Sequence, residues 1–151
     1  MLRHRLFCLA FAVFVSLAAS AQLGKIPVAV TAAFAKQYTT AQQVSYKDNI
    51  SDYSVQFLLD SNKIIAHYNS KGVWKGSEKD VSFEQLSTEV KDGFAKSKYA
   101  DWKVSGATVL YLSEKAGGGE QYRIRVVKGD IQKKYLYFNR MGRLVRDAIT
   151  L

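Results

Sequence analysis

Two stretches of this chain recur in the same order, and that limits its fold more than any other feature. Val30-Thr31-Ala32-Ala33-Phe34-Ala35-Lys36 lies 60 residues before Val90-Lys91-Asp92-Gly93-Phe94-Ala95-Lys96. Tyr68-Asn69-Ser70-Lys71-Gly72-Val73-Trp74 matches Phe138-Asn139-Arg140-Met141-Gly142-Arg143-Leu144 at an offset of 70. The offset grows because the second copy has a longer first hairpin, around Gly117-Gly118-Gly119. One matching block could be chance; two in the same order, with the same local pattern between them, point to duplication. Residues 22–81 and 82–151 are therefore read as two copies of one α-β unit. A unit of about 60 residues buries too little surface to be comfortably stable alone, so the copies are expected to join in one domain.

Each unit opens on a helix. Pro27 suits a first helical turn, and Val30, Phe34 and Tyr38 recur at helical spacing. In the second unit Ser82 and Gln85 form the capping-box pattern, with Leu86, Val90 and Phe94 as the apolar stripe. Strands follow. Tyr53-Ser54-Val55-Gln56-Phe57 and Tyr122-Arg123-Ile124-Arg125-Val126 alternate strictly between apolar and polar. Asp60-Ser61-Asn62 and Lys128-Gly129-Asp130 turn into Lys63–Asn69 and Gln132–Asn139. Asn69 to Gly72 and Asn139 to Gly142 make the next reversal. A further strand precedes each pair, near Gln43–Lys47 and Trp102–Ser113. The fold class is thus α+β, a tandem repeat of one helix and about four antiparallel strands. Both helices are expected on one sheet face, leaving the other to solvent or a partner.

Residues 1–21 read as a signal peptide. Arg3 and Arg5 precede an apolar run from Leu6 to Leu17, and Ala19-Ser20-Ala21 supplies the small-residue cleavage pattern. The run is shorter than the ~20 residues of a spanning helix, so no membrane span is expected after cleavage. Cys8 leaves with the leader, and the remaining 130 residues hold no cysteine and carry a net charge of +7. The expected location is the periplasm or the exterior. Core packing, without disulfides, must then hold the chain together. Export also removes it from nucleic acid.

This layout resembles the PepSY-like family of exported bacterial proteins, whose fold is described as beta-lactamase-inhibitor-protein-like. The likeness rests on Ile26-Pro27 and Ala33-Phe34-Ala35-Lys36, on the Tyr53 and Tyr122 strands, and on the hairpins ending Asn69-x-x-Gly72 and Asn139-x-x-Gly142. It implies an envelope protein that acts by binding, inhibition of another protein included. It offers no catalytic residues to carry over.

The residues themselves supply little catalytic chemistry. His67 is the one histidine outside the leader; it alternates with Tyr68 and is expected on the solvent side of its strand. No G-x-S-x-G elbow accompanies it. Asp48, Asp52, Asp60 and Asn62 fit turn chemistry better than a calcium loop. Gly117 to Gly119 lack the Lys-Ser/Thr of a phosphate loop and read as a hairpin tip. No catalytic residue, metal site or cofactor is expected.

One surface stands apart. If Tyr122, Ile124 and Val126 face the core, Arg123 and Arg125 face outward. With Leu136 and Phe138 inward, Tyr135 and Tyr137 turn out beside them. Arg and Tyr are favoured at recognition hot spots. These four form the expected partner-binding site, and the positive charge favours an acidic envelope protein or an anionic polymer. The alternative is a small-ligand carrier with a pocket between helices and sheet.

Overall fold

The computed structural model describes residues 26–150, so the leader expected at residues 1–21 lies outside the described residues. Helix α1 (Val28–Gln37) is followed by β1 (Gln42–Asp48), β2 (Tyr53–Leu59), β3 (Asn62–Tyr68) and β4 (Trp74–Val81). Helix α2 (Thr88–Ala95) is followed by β5 (Lys103–Leu112), β6 (Gly119–Lys128), β7 (Gln132–Asn139) and β8 (Leu144–Ile149). The eight strands form one antiparallel sheet in chain order, each bonded to its sequence neighbours. Register carries one face unbroken across the junction of β4 and β5. Ala66 pairs with Ser77, Val81 with Ala107, and Ala107 with Ile124. These residues share the side on which both helices pack.

Two cores result. Val30 and Phe34 of α1 pack with Val55, Phe57, Ile64, Ala66 and Tyr68. Val90 and Phe94 of α2 pack with Ala107, Ile124, Val126, Leu136 and Phe138. Phe34 sits edge-on to Phe57, ring centroids 5.0 Å apart. The alternating strands therefore bury the sides their sequence indicates.

Both helix starts differ from expectation. Pro27 is the N-cap, extended at φ −60° and ψ 140°, one residue before the helix. The Ser82–Gln85 capping box forms but closes only a single 3₁₀ turn, Phe83–Gln85. Leu86 is then extended and buried, and Ser87 caps a new start by accepting from the Val90 amide at 3.4 Å. Two capping residues five positions apart split what one apolar stripe suggests is a single helix.

The reversals anchor the helices to the sheet. Asn69 Oδ1 accepts from the amides of Lys71 and Val73, each at 3.0 Å. Asn139 Oδ1 does the same for Met141 and Arg143. Gly72 and Gly142 adopt φ of +75° and +73°, which favours glycine. Each turn lies directly on a helix backbone. A Cβ on Gly72 would sit 2.3 Å from the Ala29 carbonyl oxygen, and one on Gly142 would sit 1.9 Å from that of Glu89. A tyrosine after each helix adds a polar tie. Tyr38 Oη and Ser77 Oγ are 2.9 Å apart, while the Tyr99 hydroxyl donates to the Asp147 carboxylate.

Candidate functional site

Strand pairing determines what the open face displays. Arg123 stands opposite Tyr137, and Arg125 opposite Tyr135, across the β6–β7 ladder. The four residues are therefore neighbours on the side away from the helices. The Arg123 guanidinium carbon lies 5.1 Å from the Tyr135 ring centroid. Arg146 of β8, which sequence reasoning passed over, stacks on Tyr137 at 4.0 Å. It escaped because its position beside Tyr137 is set by the register of β7 with β8, which no local sequence signal displays.

The two central arginines are not equivalent. Arg125 is exposed, its Nε donating to Ser105 Oγ at 3.0 Å. Arg123 is half-buried and donates to Glu78 Oε2 at 2.8 Å. Burial opposes the charge of Arg123, but Glu78 outweighs it, helped by Tyr137 and Tyr135, and the guanidinium is held above its ordinary pKa. Arg123 faces outward, yet its guanidinium is held by the protein: β4 presents Glu78 to it across β5. A depression of about 370 Å³ opens here, lined by Arg123, Arg125, Tyr135, Asp80, Thr108 and Ser105 among others. Asp80 accepts from the Thr108 hydroxyl at 2.9 Å, so hydrogen-bonding groups of both charges line it.

His67 also lies on the open face, as its alternation indicates, but it is not free in water. Its Nδ1 is 2.9 Å from Asp52 Oδ2 and its Nε2 is 3.9 Å from Glu78 Oε1. Asp52, His67, Glu78 and Arg123 form a chain of polar contacts from the β1–β2 hairpin to β6. Its members lie on different elements, which hides it from sequence. Among the described residues no hydroxyl or thiol side chain hydrogen-bonds to His67. Among the described residues no cluster of three or more His, Cys, Asp or Glu side chains could hold a metal ion.

A second concavity lies at the opposite end of α2 from its cap. Tyr99 and Trp102, in the turn leaving the helix, meet Ile131 of the β6–β7 hairpin and Ile149 of β8. The groove has a volume of about 570 Å³. Tyr99 is buried, whereas Ile131 and Ile149 are 90% and 75% exposed. Lys98, Lys133 and Lys134 complete the wall. Lys134 donates to Asp147 at 3.0 Å, and Lys128 beyond the wall pairs with Asp101 at 2.7 Å. Asp147, hydrogen-bonded by Tyr99 and Lys134, is held down to a pKa of about 2.

No protein-family model and no curated protein matches the chain. Solved structures do. A DUF2874 family protein from Bacteroides ovatus superposes with a TM-score of 0.75 at 23% identity, covering 82% of this chain and 86% of that one. A BLIP-like protein (beta-lactamase-inhibitor-protein-like) from Bacteroides fragilis gives 0.72 at 22%, covering 81% and 84%. The fold is BLIP-like. A Bacteroides eggerthii protein, named for a periplasmic location, gives 0.73 at 21%, covering 83% and 90%. At these identities the likeness is one of fold, and the PepSY-like name is attached to none of the three. Among the described residues no helix is long and apolar enough to cross a membrane.

Proposed function

We propose that this chain is an exported, non-enzymatic binding module of the bacterial envelope whose open sheet face recognises an acidic protein partner. One observation carries the reading: Arg123, Arg125 and Tyr135 line a depression on the face that no helix covers, with Tyr137 in register beside them. Tyrosine offers apolar area at little conformational cost, and arginine offers forked, charge-assisted hydrogen bonds. The partner surface is acidic because Arg125 and Arg146 have no carboxylate within salt-bridge distance among the described residues. The BLIP-like fold supports binding over catalysis, and the periplasmic name of one structural neighbour supports export. Cleavage after Ala21 fits that location, and mass spectrometry of the envelope form tests it.

The fold is best read as a duplication, with residues 22–81 and 82–151 as its units inside one joint domain. The helix and four strands occurring twice in the same order support this. So do the paired turns at Asn69 and Asn139, and the ties of Tyr38 to Ser77 and Tyr99 to Asp147. The PepSY-like resemblance belongs with this reading, resting on the helix-start and turn motifs.

The test is capture from envelope extract by the chain lacking residues 1–21. Arg125→Glu should abolish capture of whatever the native sequence retains. Lys47→Glu, an equally exposed reversal on β1, should not. Equal capture by Arg125→Glu would remove the open face from the proposal. A second reading, a small-ligand carrier, is favoured by the groove at Tyr99 and Trp102, which lies between the helix exit and the sheet as such a pocket must.

A further inference from the structure

The groove at Tyr99 and Trp102 combines three features that together select a ligand class. Its volume of about 570 Å³ falls within the range of small-molecule sites, roughly 300–1,000 Å³. Its floor and rim are aromatic and aliphatic: Tyr99, Trp102, Ile131 and Ile149. Among the described residues its charged lining side chains are Lys98, Lys133 and Lys134. Of the nearby carboxylates, Asp147 is engaged by Lys134 and Tyr99 and Asp101 by Lys128, while Asp130 stands exposed at the hairpin tip. Lys98 and Lys133 have no carboxylate within salt-bridge distance among the described residues, and both are exposed.

We propose that this groove binds a free single-chain anionic amphiphile, a long-chain carboxylate whose tail lies along Trp102, Ile131 and Ile149 while its headgroup meets Lys98 and Lys133. An apolar floor alone would accept any greasy molecule; Lys98 and Lys133, which form no ion pair among the described residues, favour those ending in an anion. The groove suits a monomeric ligand: Tyr99 is buried and Trp102 half-buried beside the exposed Ile131 and Ile149, so a single chain can lie along them. The alkyl stems of the lysines extend the apolar wall while their ammonium groups stay at its mouth. This proposal rests on the carrier reading, and its groove shares no lining residue with the depression on the open face.

Dodecanoate, below its micelle-forming concentration, is the probe. Calorimetry reads its affinity for the chain lacking residues 1–21. A terminally brominated dodecanoate reads its location, because bromine beside Trp102 quenches that residue while Trp74, in the other half, supplies unquenched emission. Saturable binding with partial quenching is expected. Dodecanol should bind at least about tenfold more weakly, and Lys98→Glu with Lys133→Glu should weaken dodecanoate by a similar factor. Ile131→Asp, on an almost fully exposed side chain, should weaken it without unfolding the chain. If dodecanol binds as tightly as dodecanoate, the anionic class is wrong although a carrier remains. If neither binds, both the class and the carrier reading fall. Quenching seen only with brominated phosphatidylglycerol vesicles would instead make this surface a membrane contact and overturn the proposal.

Discussion

Gly93→Ala separates the close helix–turn contact from ordinary helix propensity, because the two act with opposite signs. Gly93 lies within α2, where alanine is normally better by about 1 kcal/mol. Here a Cβ would fall 1.8 Å from the Gly142 carbonyl oxygen, 2.7 Å from its carbonyl carbon and 3.0 Å from its Cα. All three are backbone atoms, so no side chain can swing aside. Helix and turn must separate by more than an ångström, lifting Val90 and Phe94 from the core they fill. Such overpacking costs about 3 kcal/mol at the upper end of its usual range. The net expectation is a loss of about 2 kcal/mol, lowering the urea midpoint by about 1 M for a typical slope near 2 kcal/mol per molar. Position 33 of α1 provides the contrast: Ala33 already carries a Cβ near its own turn, 3.3 Å from where one on Gly72 would stand. Urea unfolding followed by circular dichroism decides the matter. An unchanged or raised midpoint for Gly93→Ala would refute the claimed contact.

Phe34→Ala and Phe94→Ala should each cost about 3–5 kcal/mol by urea melt, since both rings are buried beneath their helices. Asp147 has a folded pKa of about 2 against an ordinary 3.8, so the unfolded chain takes up its proton first as pH falls. Its contribution is therefore complete above about pH 4 and lost by about pH 2; for a side chain one-third exposed it amounts to about 1 kcal/mol after solvent screening. Asp147→Asn should remove that acid-dependent part of the loss in melts compared across this window. Arg123→Ser should cost about 1–2 kcal/mol by leaving half-buried Glu78 without its partner, whereas Arg125→Ser should stay within about 0.5 kcal/mol in the same assay.

Strand faces and turns were legible because their causes are local. Alternation through Tyr53 to Phe57 reports burial two residues at a time, and the Asn-x-x-Gly reversals carry their own hydrogen bonds. The placement of Arg123, Arg125, Tyr135 and Tyr137 on one side follows from the same alternation. The break before α2 was not legible from the stripe of Leu86, Val90 and Phe94. A capping box looks the same whether one turn or three follow it; the second cap at Ser87 held the missing information. The pairing of Arg123 with Glu78 requires knowing that β5 alone separates β4 from β6. The groove is harder still, because Trp102, Ile131 and Ile149 come from a helix exit, a hairpin tip and the final strand.

The segregation of the two cores has a kinetic consequence. Every residue of the first lies between Ile26 and Trp74, and every residue of the second between Val81 and Leu144. Each strand also bonds to the one made just before it. Little loop-closure entropy is therefore paid before contacts form, the condition for rapid folding of a β-rich chain. A polypeptide delivered end-first can close its leading core while the trailing half is still in transit. The leading half then presents β4 as a ready template for β5. Order of arrival and order of assembly coincide, and each new strand finds its first partner already in place.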